Sequence, residues 1–316
     1  MELFEKVKKK FFELMYKKAK LSSPSTDEQK LINELRSRII RLSKSDTATD
    51  SKVKKGWVDY KTKIRQLILN DDPRDFINWE VVKKTMFFEP PIRELEFLQK
   101  LPDWSQWKKA MKESPIGNPK PYWAFKESSG LLIHHAYHLA QLVVKSRCSI
   151  KDMTQVVEFG GGYGSMCRLV HQLGFDRRYI IFDLPEFTAL QEFFLKSVGI
   201  SSEIIKNATN VGKCIVLLSD INELSKQVIN QIDNYIFIAT WSISEAPVGF
   251  RKQIFNLVPN AKYYLIAYQD EFEGIDNLQY FSEFAKSKPE YFWQNDEIEA
   301  LKGHYYLIGR EKNDSD

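Results

Sequence analysis

The 316 residues are 43% apolar, 13% aromatic and 28% charged, enough for at least one large core, which excludes a wholly disordered chain. No apolar run approaches the roughly 18 residues of a membrane span, and the charged start Met1–Lys6 does not read as a secretory signal. Three scattered cysteines, Cys148, Cys167 and Cys214, argue against a disulfide scaffold or a cysteine zinc site and for a reducing cytoplasm. The net charge of +4 conceals an asymmetry: residues 1–70 carry 18 Lys/Arg against 9 Asp/Glu, so this front is +9 and the remainder −5. A solvated helical face, anionic lipid, nucleic acid and an acidic partner all suit such a front.

Leu3, Val7, Phe11 and Leu14 recur at helical spacing with lysines between them, which predicts a helix over the first twenty residues. After the loop Ser22–Asp27, Leu31, Ile32, Leu35, Ile39 and Ile40 predict a second amphipathic helix. Residues 43–51 are polar and read as a loop. Trp57, Tyr60, Ile64, Leu67 and Ile68 predict a third helix that stops at Asn70-Asp71-Asp72-Pro73, and short helices follow around 74–88 and 91–100. Residues 113–121 hold three prolines and a glycine, marking a boundary between a basic helical region, 1–112, and a second domain, 113–316. Beyond it, a helix at 129–145 leads into strands at 156–159, 179–182, 214–218, 235–240 and 263–268, with helices at 165–173 and 185–198 between the first of them. Fully apolar strands alternating with helices predict a mostly parallel α/β sheet covered on both faces. Tyr291–Trp293 and Tyr305–Ile308, joined by a short polar helical stretch, predict an antiparallel last pair.

The run Val156-Val157-Glu158-Phe159-Gly160-Gly161-Gly162-Tyr163-Gly164 ends a strand on an acid, turns on glycines and opens a helix. Glycines let the backbone turn tightly and a ligand approach closely, and the helix start offers free N–H groups. In a parallel sheet this is the crevice at the carboxyl ends of the strands. The dinucleotide pattern G-x-G-x-x-G needs a glycine where Ser165 stands; E-x-G-x-G-x-G matches at every fixed position. It resembles motif I of class I S-adenosylmethionine-dependent methyltransferases, which implies a Rossmann-like sheet with an antiparallel last strand and S-adenosyl-L-methionine as cofactor. Asp183, 19 residues past Gly164 at the next strand end, suits both ribose hydroxyls. The resemblance places Glu158, Gly160, Gly161, Gly162, Tyr163, Gly164, Asp183 and Leu184 on the cofactor, Asp220 and Ile221 around its adenine, and Thr240 near the reacting methyl.

Further features narrow the likeness: Tyr179–Pro185 after the glycine loop, Ala239–Glu245, Tyr268-Gln269 with Phe272, Gly274 and Asn277, and the earlier Ile116–Pro119 and His134-x-x-Tyr137-His138. Together they resemble the sugar O-methyltransferase family of bacterial surface-polysaccharide gene clusters, over about residues 113–310. The resemblance implies methyl transfer to a sugar or glycan hydroxyl. The sequence holds no recognised nucleic-acid module, so no nucleic acid is expected as a partner. The basic front lies outside it and leaves a peripheral membrane or an acidic protein as partner; the oligomeric state is not legible.

O-methylation needs an oriented acceptor oxygen and a group to take its proton. Glu245, after the fourth strand, and His304, before the last, are the catalytic candidates. The helix opening at Pro247 makes Glu245 the poorer base, so His304 is the expected proton acceptor. His134 and His138, one helical turn apart, Trp241, Gln269 and Asn277 are the expected substrate contacts, and Tyr163, Trp241 and Trp123 are candidates for stacking on a sugar or the adenine. No metal site is expected: the acidic stretch Asp270–Asp276 lacks calcium-loop spacing. The alternatives are another small polar acceptor, or a non-catalytic cofactor-binding protein that acts through its basic front.

Overall fold

A computed structural model describes residues 2–45, 55–86, 90–200, 202–204, 215–228 and 234–312. The front of the chain forms helices α1 (Glu2–Met15), α2 (Thr26–Ser45), α3 (Lys55–Asn70), α4 (Glu80–Met86), α5 (Ile92–Gln99) and α6 (Trp104–Ala110). A capping box starts α2: Ser25 Oγ accepts from the Glu28 amide, and Glu28 Oε2 accepts from the Ser25 amide. Between α3 and α4 the Asp72 carboxylate caps a 3-10 turn, Pro73–Asn78. The expected first helix ends at Met15, and α6 has no counterpart in the sequence pattern.

A small hairpin, β1 (Pro121–Tyr122) and β2 (Phe125–Ser129), leads into α7 (Gly130–Ser146), whose first turn is capped by Ser129 Oγ on the Leu132 amide. The α/β part follows as β3 (Gln155–Phe159), α8 (Ser165–Gln172), β4 (Arg178–Phe182), α9 (Pro185–Ser197), β5 (Ser202–Ile204), β6 (Ile215–Leu218), α10 (Ile221–Val228), β7 (Tyr235–Thr240), α11 (Ser242–Glu245), α12 (Val248–Leu257) and β8 (Tyr263–Gln269). The hairpin β9 (Glu271–Phe272) and β10 (Ile275–Asp276) precedes α13 (Asn277–Lys286), β11 (Tyr291–Glu297) and β12 (His304–Glu311). Residues 298–303, expected to be helical, form turns, and β5 was not expected. Cys214 and most of the polar stretch 43–51 lie outside the described residues.

Eight strands make one sheet in the order β11-β12-β8-β7-β3-β4-β6-β5. All neighbours from β8 to β5 pair in parallel, and β12 runs antiparallel to both β8 and β11. This is the expected Rossmann-like arrangement. The order reverses at β3, with β4 on one side and β7 on the other, so a crevice opens at the carboxyl ends of these strands. Strand side chains alternate between two cores: Val156, Ile181 and Ile236 on one face, Val157, Ile180 and Phe237 on the other. The first core continues through α7, α8 and α9 into Ile39, Ile64, Ile68 and Phe76 of the front, so apolar packing runs unbroken from the helical region to the sheet. Arg65 of α3 also donates to the fully buried Glu186 of α9, at 2.6 Å. Among the described residues no helix is long and apolar enough to cross a membrane.

Candidate active site at the carboxyl ends of the strands

A cleft of about 820 Å³ opens over the ends of β3, β4, β6 and β7, within the size range of small-molecule sites. The glycine loop forms its floor. Gly160 adopts φ +74°, and a Cβ there would lie 2.2 Å from Ser242 Cβ of α11; its amide donates to Phe182 O of β4 at 2.8 Å. Gly162 adopts φ +57°, where a Cβ would meet only the end of the Met86 thioether, at 3.1 Å from Sδ. Both therefore need a residue without a side chain.

Two carboxyls sit beneath the loop. Glu158 is buried and accepts from Tyr179 Oη at 2.9 Å; burial, with Asp183 nearby, pushes it up to about 8. Burial also raises Asp183, to about 7, against hydrogen bonds that favour its charge. Asp183 Oδ2 accepts from the Gly162 amide at 3.0 Å and from Gln191 Nε2 at 2.9 Å, while Oδ1 accepts from the Leu184 amide at 2.7 Å. A carboxylate oxygen has about two lone-pair sites. Asp183 thus keeps capacity for one further donor, on Oδ1, rather than for both ribose hydroxyls as expected. Further along the cleft, exposed Asp220 turns back to accept from the Asn222 amide at 2.8 Å, which starts α10 beside Ile221.

Thr240 and Trp241 mark the end of β7. Trp241 holds a left-handed backbone, φ +63°, which is strained for a bulky residue. Hydrogen bonds hold it: its amide donates to Ala267 O at 2.7 Å, its carbonyl accepts from Ser244 Oγ at 2.6 Å and from the Ser244 and Glu245 amides at 3.0 and 3.2 Å, and its indole Nε1 donates to His304 Nδ1 at 2.7 Å. Indole nitrogen only donates, so Nδ1 of His304 is the acceptor and the ring's proton sits on Nε2. Burial and His134 lower the His304 pKa, opposed by Asp270. His304 lines the cleft as expected, but as a neutral donor rather than a proton acceptor.

His134 of α7 stacks on Trp241, ring centroids 5.8 Å apart at 25°, and faces the same cleft. Its Nδ1 lies 2.8 Å from Oε2 and 3.1 Å from Oε1 of Glu94 on α5. Both side chains are almost wholly buried. Burial pushes Glu94 up to about 8 and His134 down to about 3. The pair titrates as a unit: once Glu94 is ionised, Nδ1–H donates to the carboxylate and the lone pair belongs to Nε2.

Of the expected site residues, Glu158, Gly160, Gly161, Gly162, Tyr163, Asp183, Leu184, Asp220, Ile221, Thr240, Trp241, Glu245, His134 and His304 all line the cleft. Four do not. Gly164 is the left-handed cap of α8. His138 is fully buried with Nδ1 on the Tyr306 hydroxyl. Gln269 Oε1 lies 2.8 Å from Ser244 Oγ, and Asn277 Oδ1 accepts from Arg251 at 2.7 Å. Arg251 is wholly buried and also donates to the carbonyls of Ser244 and Ala246. Gln269 and Asn277 therefore hold α11 in place instead of facing a substrate. The Tyr163 ring packs between Phe76 and Phe194, and Trp123 packs on Tyr122 away from the cleft, so neither stacks on a ligand. The acidic stretch is used structurally: Glu273 and Gly274 turn the β9–β10 hairpin with positive φ, and Asp276 caps α13.

Sequence reasoning did not foresee Lys61, Thr85 and Met86, which bring α3 and α4 over the glycine loop, nor Glu94 behind His134. None belongs to a motif; each reaches the site by packing alone.

No family model matches the chain, and no curated protein matches it. Among solved structures it is similar to the precorrin-6y C5,15-methyltransferase of Geobacter metallireducens GS-15, at 15% identity over 57% of this chain and 87% of that one, TM-score 0.39. It is also similar to the Podospora anserina methyltransferase PaMTH1 bound to S-adenosylhomocysteine, at 10% identity over 73% and 92%, TM-score 0.38, and to M. capricolum TrmK in complex with the same product, at 14% over 55% and 68%, TM-score 0.36. The fold assignment rests on the strand order and register of this chain.

Proposed function

We propose that the protein is an S-adenosylmethionine-dependent O-methyltransferase acting on a sugar hydroxyl. The observation that carries this reading is the acid–glycine loop at the switch point of the sheet, with Asp183 bonded to the loop's own Gly162 amide. The residues present fit such a cofactor: the loop lacks side chains where a ligand must approach, Asp183 Oδ1 retains one acceptor site for a ribose hydroxyl, and Asp220 and Ile221 line the cleft beyond it. The cofactor supplies an electrophilic methyl on a sulfonium. The chain supplies the rest. Trp241, held by its hydrogen bonds, and Phe250 give the cleft apolar walls. His304 donates from Nε2 to orient the acceptor oxygen. His134 Nε2 takes the hydroxyl proton, and Glu94, a positioning residue, fixes the ring's tautomer and stabilises the imidazolium that results. Glu245 lines the cleft and serves acceptor affinity. The sugar acceptor rests on the motif resemblance, with His134, His304 and Glu245 as the polar groups that the cleft offers an acceptor.

Calorimetry with S-adenosylhomocysteine, followed by labelled methyl transfer to nucleotide sugars and glycan extracts read by mass spectrometry, tests both parts. Absence of binding refutes the cofactor. Binding together with methylation of only non-carbohydrate acceptors refutes the sugar and leaves the enzyme.

A further inference from the structure

Helix α1 stands at the margin of the molecule and keeps an apolar stripe in water. Val7 is 59% exposed, Phe11 65%, Leu14 75% and Met15 65%. At 100° per residue these four fall within an arc of about 100°, a coherent face rather than scattered apolar positions. Lys8 and Lys10 lie just outside its two margins on the same helical wheel. The other side of α1 is already engaged. Phe12 and Tyr16 stack with centroids 5.8 Å apart, Lys120 Nζ lies 5.8 and 5.5 Å from these two rings, Lys126 Nζ lies 5.9 Å from Phe12, and Glu13 pairs with Lys120. The helix is thus anchored by one face and displays the other.

Charge selects what covers that face. From the start of α1 to Lys20 the chain holds seven lysines against three glutamates, Glu2, Glu5 and Glu13. Two copies of so basic a segment repel each other, and α1, at 14 residues, spans only two heptads, too few for a stable coiled coil. An apolar stripe flanked by lysines is the pattern of a helix lying in a lipid interface, with its apolar side at the acyl boundary and lysine stems reaching up to the phosphates. We propose that α1 docks the protein on anionic lipid bilayers through Val7, Phe11, Leu14 and Met15, with the surrounding lysines on the headgroups. This stands independently of the methyl-transfer reading.

Co-sedimentation of the full chain with vesicles tests it. Phosphatidylcholine vesicles containing phosphatidylglycerol are expected to bind the protein, pure phosphatidylcholine vesicles far less, and high salt to weaken binding. The double variant Phe11→Ser/Leu14→Ser should bind at least about tenfold more weakly, since both side chains lose their burial in the bilayer, with an unchanged melting temperature. Lys8→Gln/Lys10→Gln should bind more weakly and with a shallower salt dependence. Failure of the wild type to bind anionic vesicles overturns the proposal, as does equal binding by Phe11→Ser/Leu14→Ser. Self-association in the ultracentrifuge that the double variant abolishes, without vesicle binding, assigns the stripe to a second copy instead. Capture by polyglutamate but not by vesicles assigns it to an acidic protein.

Discussion

Substituting Glu94 by glutamine tests the pairing with His134 without knowledge of the acceptor. Glu94 is 1% exposed, and burial raises it from 4.5 to about 8. In the unfolded chain it ionises near its ordinary value, so between these limits the native state binds more protons than the unfolded one. Stability is therefore full below pH 4.5 and falls as pH rises, by about 1.4 kcal/mol per pH unit at most. By pH 6 this single group costs about 2 kcal/mol, and by pH 8 about 4 kcal/mol. The Glu94→Gln side chain has no such proton to lose but keeps the shape and a hydrogen-bonding amide. Glu158 and Asp183 contribute equally to both proteins and cancel. The variant should therefore gain about 2 kcal/mol relative to wild type between pH 6 and pH 8, read from urea unfolding at each pH. Parallel pH dependences in the two proteins would show that Glu94 ionises normally, and the pairing argument fails. Where an acceptor is in hand, wild-type turnover should rise with pH through about 8, and the variant should lose that limb along with most of its rate.

Asp183→Ala should weaken S-adenosylhomocysteine binding by about 1.5–3 kcal/mol through loss of one charge-assisted hydrogen bond; equal affinity by calorimetry removes Asp183 from the cofactor. Gly160→Ala should destabilise the fold by roughly 2–4 kcal/mol, combining left-handed strain with overpacking, because the new Cβ meets Ser242 at 2.2 Å. Gly162→Ala should cost less, since the Met86 thioether can move aside; the reverse order in urea unfolding contradicts the loop geometry. Trp241→Phe removes the donor that favours neutral His304, so the His304 pKa measured by NMR titration should rise toward its ordinary value, and no change would mean that the indole bond does not form. For the whole protein, burial lowers His134, His135, His138 and His304, which makes stability climb with pH up to 6.5, while burial raises Glu94, Glu113, Glu158 and Asp183, which makes it fall from about 4 to about 8. The two trends offset between pH 4.5 and 6.5 and leave a broad maximum there, with stability falling toward pH 8; a melting temperature that rises steadily to pH 9 contradicts this.

The alternation of apolar strands with helices and the acid–glycine turn were legible because both are local. A strand buried on two faces must be apolar throughout, and a turn at φ +74° or +57° selects glycine. Strand topology even placed His304 and Glu245 at the cleft. Their chemistry was not legible. Whether His304 accepts or donates depends on an indole 63 positions away, and the base-like pairing of His134 depends on Glu94, 40 positions earlier in a helix outside the recognised motif. Gln269 and Asn277 looked like ligand contacts because they belong to the run that carries the family resemblance and flank an acidic loop. Only the packed structure shows Arg251 buried wholly out of water, where its donors require Asn277 and the carbonyls of α11, with Gln269 bracing the same helix through Ser244. Lys61 and Met86 reach the cleft because the apolar faces of the front helices share a core with the sheet. Local pattern sets which face of each element is apolar. Which faces meet, and so which polar atoms are stripped of water and which protons they keep, is set by contacts between residues at no fixed separation along the chain.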